Sequence, residues 1–260
     1  MSTSKKFVVI GGTGLIGSKA VAILRNAGHD VVVASSRNGI NAFTGEGLEA
    51  ALSGADAVID VSNMMSFDEP VLRNFFATSS RNLTAAEKAA GVRHHVVLSI
   101  VGTSDLVSNP YISGKQAQEE AVQASGQDYT IVRATQFYEF MDTLAEAYTA
   151  DGAVTVPDIE FQPIAADDVA AALVRVALGN PHHGIVDLAG PDRAGFDEIM
   201  RTYLAAKGDR RSVRVDASLG YFGAPVTATS LVPMGAFMRG EIAFSDWLQQ
   251  QTHATQVEKA

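Results

Sequence analysis

The 260-residue sequence predicts an α/β fold in which a parallel sheet is wound by helices on both faces. Three observations predict it. Strand-like apolar runs alternate with helical stretches from Phe7 to about Leu188, the pattern of a parallel sheet covered on both sides. The first run, Phe7–Ile10, passes straight into the glycine-rich turn Gly11-Gly12-Thr13-Gly14-Leu15-Ile16-Gly17. Apolar residues make up 47% of the chain and charged residues 19%, which suits one sizeable core and excludes a disordered chain. The expected architecture is a Rossmann-type doubly wound sheet.

The elements follow in order. Phe7–Ile10 is the first strand, and Leu15–Asn26 its helix, with Ile16, Ala20, Ile23 and Leu24 on one face and Gly28 at its end. Val31–Ala34 is a strand. Residues 38–54 are polar and glycine-bearing, with a short helix near Leu48–Leu52. Ala57–Val61 is a buried strand, Val71–Ala90 a long helix stopped by Gly91, and His95–Ile100 the next strand. Asn109 caps a helix over Tyr111–Ala124, with Pro110 at its first position. Tyr129–Arg133 is a strand, Asp168–Leu178 a helix capped by Asp167-Asp168, with Asp168 accepting backbone N–H groups, and Gly184–Leu188 a short strand. After Gly190-Pro191 the pattern changes. One helix is expected over Phe196–Ala206, and residues 220–244 are apolar but rich in glycine and proline. This stretch reads equally as the wall and lid of a pocket or as a packing extension. Nothing separates two domains. Residues 1–260 form a single nucleotide-binding unit, to which 190–250 add a substrate-binding extension, with a frayed polar end from about Thr252.

The glycine turn carries the chemistry. Gly12, Gly14 and Gly17 stand at the G-x-G-x-x-G spacing between a strand and an amphipathic helix. The first permits the tight turn, the second brings no Cβ against phosphate, and the third lets the helix pack on the strand. Free N–H groups and the positive helix end then face a diphosphate. Thr13, Leu15 and Ile16 complete the loop. At the end of the second strand no carboxylate is present to select NAD. Ser35, Ser36 and Arg37 stand there instead, and Arg37 suits a 2′-phosphate. NADP(H) is therefore the expected coenzyme, with NAD(H) the alternative.

Net charge −9 and pI near 5.1 argue against nucleic acid as a partner. With no cysteine there is no disulfide, thiolate nucleophile or thiolate metal site, and the adjacent pairs His94-His95 and His182-His183 diverge, so no metal is expected. The N-terminus lacks a secretory signal, and no apolar run approaches the ~18 residues of a membrane span. The expectation is a cytoplasmic protein with a small-molecule substrate and no membrane association, and homo-oligomerisation is compatible with the sequence.

The glycine-rich start resembles that of the atypical short-chain dehydrogenase/reductases. So do Ser99 at a strand end, the run Tyr129-Thr130-Ile131-Val132-Arg133-Ala134-Thr135-Gln136-Phe137, and Gln162-Pro163-Ile164 leading to Asp167-Asp168-Val169-Ala170. The pattern is similar to the NmrA-like branch, which includes NAD(P)H-dependent quinone and dye reductases and redox-sensing regulators. The likeness runs over about residues 5–200, and Ala134 departs from it where many relatives carry proline.

Tyr111 and Lys115 form a Y-x-x-x-K and share a helix face. In short-chain dehydrogenases with this pair, the lysine lowers the tyrosine pKa and holds the nicotinamide ribose, and the tyrosine protonates the substrate oxygen. The resemblance thus implies Tyr111 as acid, Lys115 as coenzyme contact and Ser99 as a steadying hydroxyl. The plainer reading has Tyr111 covering a helix end, with solvent supplying the proton to a quinone or dye. Ser62 and Asn63 follow a strand beside the glycine loop and are expected along the diphosphate and ribose. Thr135, Gln136 and Phe137 are expected at the nicotinamide, and Tyr138, Phe140 and Met141 at the substrate or in the core. The favoured function is an NADPH-dependent reductase of a small apolar electrophile such as a quinone or carbonyl compound. The rivals are a non-catalytic redox-sensing regulator and a nucleotide-sugar epimerase or dehydratase.

Overall fold

The computed structural model describes residues 4–257, with side chains described for 4–251. The first half runs β1 (Lys6–Ile10), α1 (Leu15–Asn26), β2 (Asp30–Ala34), α2 (Leu48–Leu52), β3 (Ala57–Asp60), α3 (Glu69–Ala90), β4 (His94–Ile100), α4 (Pro110–Ala124) and β5 (Tyr129–Ala134). Then come α5 (Met141–Ala147), β6 (Thr149–Ala150), β7 (Ala153–Val156), β8 (Glu160–Phe161) and α6 (Ala166–Leu178). The remaining elements are β9 (Gly184–Ala189), β10 (Ala194–Gly195), α7 (Phe196–Lys207), β11 (Ser212–Val215), β12 (Phe237–Arg239) and α8 (Phe244–Val257).

Seven parallel strands make the central sheet in the order β12-β9-β5-β4-β3-β1-β2. The winding reverses at β1, with β2 on one side and β3 on the other. At such a point the flanking connections diverge and leave a crevice beyond the C-terminal strand ends. Phe7, Val9, Ile59 and Val132 pack on Ala20 and Leu24 of α1 and on Val169 and Leu173 of α6. Their neighbours Val8, Ile10 and Val58 face the other way, onto Leu48, Leu52 and Leu83. Burial of both faces explains the near-continuous apolar strands. Each such side chain, fully removed from water, contributes about 1.5–3 kcal/mol.

Local signals set the helix ends. Asn109 Oδ1 accepts from the N–H groups of Tyr111 (3.0 Å) and Ile112 (3.1 Å), with Pro110 in the first turn of α4. Helix α3 begins earlier than its apolar pattern does, because Asp68 accepts from Val71 N–H at 3.1 Å and Pro70 suits the first turn. The expectation that Asp168 caps its own helix is corrected. The carboxylate of Glu139 accepts from Ala166 N–H at the start of α6. Asp168 instead accepts from the N–H groups of Glu241 (3.0 Å) and Ile242 (2.9 Å) and anchors the chain before α8.

A second core lies beyond the sheet. Tyr138, Met141, Leu144, Val154 and Phe161 pack there with Phe196, Tyr203, Leu231, Phe244 and Trp247. It draws on residues well before 190 as well as on the C-terminal segment. Two small sheets, β11-β7-β6 and β10-β8, frame it. Within 220–244, Leu231 and Val232 are buried, Ala228 O accepts from Glu160 N–H at 2.7 Å, and β12 extends the main sheet. The α8 backbone continues helical to Val257, past the point where fraying was expected.

Candidate functional site

The C-terminal ends of β1, β2, β3 and β5 lie along one edge of the sheet, as parallel strands must. The glycine loop rises from β1 at the reversal point. Gly11 adopts φ +76°, and a Cβ there would meet Val61 O at 2.7 Å. It is thus Gly11 that makes the left-handed turn, a role the spacing had given to Gly12. Gly12 fits closely over Val9 and Val33. At Gly17 a Cβ would fall 2.3 Å from Gly11 O, so only glycine lets α1 approach the loop. Gly14 differs: a Cβ there would meet only Gly11 O, at 3.3 Å, and otherwise open space. Gly14 also begins α1 without a side-chain cap. The first N–H groups of α1 are thereby left free at the open side of the loop, where an anion is favoured.

Polar side chains along this sheet edge have unmet hydrogen-bonding capacity. Ser35 Oγ after β2, Ser62 Oγ after β3, and Thr135 Oγ1 and Gln136 Oε1 after β5 are buried without a protein partner. Leaving such an atom unpaired costs about 1–3 kcal/mol. Four of them at one sheet edge, beside a loop shaped to admit an anion, fit a ligand that is polar along its length, as a dinucleotide is. Arg37 lies exposed in the short turn Ser36–Asn38 that follows β2.

Tyr111 and Lys115 share one face of α4, yet their polar ends part. Tyr111 OH donates to Asn63 Oδ1 at 2.8 Å. Burial pushes this phenol up to about 12, against the smaller opposing effect of the Asn63 bond. Lys115 is 4% exposed. Its ammonium donates to Leu98 O at 2.7 Å and to Gln118 Oε1, and sits 4.8 Å from the Phe76 ring centroid. Burial lowers Lys115 to about 8, while Asp60 and Glu119 favour its charge. The expected lowering of the Tyr111 pKa by Lys115 is therefore replaced by a raised phenol whose partner is Asn63.

Ser99 is also engaged. Its hydroxyl donates to Glu119 Oε1, and Glu119 accepts from Arg133 Nε (2.9 Å) and Nη2 (2.6 Å). Arg133 Nη1 reaches Ser104 Oγ at 3.0 Å, so the group braces the loop after β4. Of the three residues expected at the substrate or in the core, Tyr138 and Met141 lie in the core and not at the substrate side. Both are fully buried in the second core, and Tyr138 OH donates to Ile242 O at 3.1 Å. Phe140 is exposed and rests against Phe137, ring centroids 5.8 Å apart.

Two residues here escaped sequence reasoning: Gln118 and Glu119. The readable signal was a pair of polar residues three and four places after Lys115, on its own helix face.

Among the described residues, no helix is long and apolar enough to cross a membrane. A protein of Synechocystis sp. named photosystem II assembly factor Ycf39 is 28% identical over 265 residues, covering 93% of this chain and 76% of its own. An NAD(P)H azoreductase of Xenophilus azovorans is 29% identical over 221 residues, covering 77% and 73%. A crystal structure of a short-chain dehydrogenase/reductase superfamily protein from Agrobacterium tumefaciens, with bound NAD, superposes with TM-score 0.73 over 98% of both chains at 17% identity, a likeness of fold. The NAD(P)H-binding family matches residues 11–180, from the glycine turn to the end of α6, and the chain belongs to that family.

Proposed function

We propose that this protein is an NADPH-dependent reductase that acts on a small, apolar electrophile such as a quinone or carbonyl compound. The observation that carries the reading is the set of unpaired buried polar atoms of Ser35, Ser62, Thr135 and Gln136 on the sheet edge from which the glycine loop rises, with Gly14 open on its outer side. NADPH, when bound, supplies the hydride. The chain's own residues bind and orient. The α1 N-terminus and loop residues 11–17 receive the diphosphate, Ser35, Ser36 and Arg37 the adenosine end, and Ser62, Asn63 and Lys115 the ribose side. Thr135, Gln136 and Phe137 border the nicotinamide end. Exposed Phe140 offers an aromatic face to an apolar substrate. Tyr111 stands at the same rim with its proton directed at Asn63. It is the candidate donor for a substrate whose reduced oxygen needs a proton. A relative named as an azoreductase supports reduction over the epimerase alternative.

Arg37 supports NADPH over NADH, because a guanidinium pairs with a phosphate in two charge-assisted bonds. Removing it as Arg37→Ala is expected to weaken NADPH about 10- to 100-fold, for a loss of ~1.5–3 kcal/mol, and to leave NADH unchanged. Equal wild-type dissociation constants for the two would refute the preference. The reaction itself is tested by stopped-flow loss of NADPH absorbance across a panel of quinones, enones and carbonyl compounds. Turnover on an apolar acceptor is the expected result. Tight NADPH binding with no turnover on any acceptor would replace the reductase by a redox-sensing regulator.

A further inference from the structure

A buried polar chain runs beneath α4 to the edge of the proposed coenzyme site. Asp60, 1% exposed, sits at the end of β3 among apolar neighbours. Its Oδ1 accepts from Ser62 N–H at 2.9 Å, and its Oδ2 from Gln118 Nε2 at 3.0 Å. Gln118, 0% exposed, turns its Oε1 to the Lys115 ammonium. A carboxylate only accepts and an ammonium only donates, so the amide has a single satisfying orientation between them. Methionine would leave both ends unpaired, and glutamate would set a second carboxylate against Asp60. The middle residue must therefore be neutral, with a donor and an acceptor at this reach.

We propose that Asp60 and Gln118 are positioning residues for Lys115: the Asp60–Gln118 bridge fixes the lysine ammonium and ties its charge to the Ser62 segment at the edge of the coenzyme cradle. The inference rests on the reading of Lys115 as a coenzyme contact only for its functional consequence. The bridge itself is made entirely by the protein's own side chains. A lysine buried against Phe76 and Leu98 with no counter-charge favours the neutral amine. The Asp60 carboxylate, relayed through an oriented amide, restores the cation. Other titratable groups facing this chain are Tyr111 and Glu119 on α4, Glu87 on α3 and His95 on β4. Arg133 on β5 neutralises Glu119. Glu87 and His95 pair with each other at 2.8 Å, and both feel the charge of Asp60.

The test follows the Lys115 side chain by NMR in protein labelled at lysine, with its signal assigned by absence in Lys115→Met. Without NADPH, the wild-type midpoint is expected near pH 8. Asp60→Asn and Gln118→Met are expected to lower it by about one unit or more, and Gln118→Glu to raise it by a similar amount. The pH dependence of NADPH affinity, measured by calorimetry, should shift in the same direction in each variant. Gln118→Glu keeps the side-chain shape and Gln118→Met nearly so, so they carry the test if Asp60→Asn does not fold. A Lys115 midpoint that stays within about 0.3 units in folded variants overturns the proposal, whatever happens to their melting temperatures. If the midpoints move as expected while wild-type protein fails to bind NADPH, the positioning role stands and the proposed function falls.

Discussion

Gly14 and Gly17 offer a test that separates the ligand-facing side of the loop from its packing side. Both belong to the same turn, three residues apart, and both would receive the same methyl group as alanine. At Gly17 the Cβ falls 2.3 Å from Gly11 O and 2.7 Å from Gly12 Cα. Carbon–oxygen contacts settle at about 3.3–3.6 Å, so α1 must move by roughly 1 Å. That movement disturbs Ile16, Ala20 and Leu24, which are buried against the sheet. Overpacking of this kind costs about 1–3 kcal/mol, and a rigid backbone obstacle puts it at the upper end. At roughly 2–4 °C per kcal/mol for a chain of this size, Gly17→Ala should melt about 6–12 °C lower.

Gly14→Ala should behave otherwise. Gly14 has φ −81°, which alanine adopts freely, and its Cβ meets only Gly11 O at 3.3 Å. Reduced freedom of the unfolded chain contributes about 0.4–1 kcal/mol, offset by a cost of similar size for alanine at a helix N-cap. Stability should thus change by less than about 1 kcal/mol. The methyl group, however, projects to the side where the diphosphate is proposed to lie. A steric cost of about 1–3 kcal/mol against the bound ligand corresponds to a 5- to 150-fold loss of NADPH affinity. Scanning calorimetry gives the melting temperatures, and titration calorimetry the dissociation constants. Wild-type affinity in a folded Gly14→Ala variant would refute the placement of the diphosphate. A wild-type melting temperature in Gly17→Ala would refute the packing argument.

Other consequences are equally direct. Tyr111→Phe should slow reduction of simple carbonyl compounds by ~100-fold, since the donor is lost. It should slow quinone reduction by less than about tenfold, because a hydroquinone anion draws its proton from solvent. Equal losses on both classes, measured as kcat/KM, would refute this division. Arg133→Ala leaves the Glu119 carboxylate, 5% exposed, without its two guanidinium bonds. Breaking such a pair costs roughly 3 kcal/mol, hence a fall of about 6–12 °C in Tm. A change below about 2 °C would show that the brace is dispensable. Lys115 makes stability depend on alkaline pH. Burial lowers it to about 8 from its ordinary 10.5, so between these values the unfolded chain binds more protons and stability rises with pH. Urea midpoints at about pH 7.5 and 9.5 should show this gain in wild type and lose it in Lys115→Met, and equal slopes would refute it.

The legible parts of this molecule are those whose causes are local. Helix α1 spans Leu15–Asn26 as read from the sequence, because a glycine loop precedes it and Gly28 follows. Helix α4 starts at Pro110 because Asn109 and Pro110 act within one turn. The strand ends after β2, β3 and β5 were also readable, since a parallel sheet gathers all its C-terminal ends on one edge. Ser35, Ser62, Thr135 and Gln136 stand just past those ends, each with a buried oxygen that has no protein partner.

What escaped depends on residues far apart in the chain. Strand β7 finds β11 some sixty residues later, and each is only four residues long, too short for a period to show. Asp168 sits where a helix cap would sit, but its acceptor oxygen meets N–H groups more than seventy residues on. The same holds inside the candidate site. The Y-x-x-x-K spacing correctly puts Tyr111 and Lys115 on one helical face, but spacing says nothing of what faces them. Asn63 reaches the phenol from the loop after β3, and Asp60 reaches the ammonium only through Gln118. A motif on one helix fixes which side chains point together. The elements packed against that helix set their proton affinities, and these decide which chemistry the pair can perform.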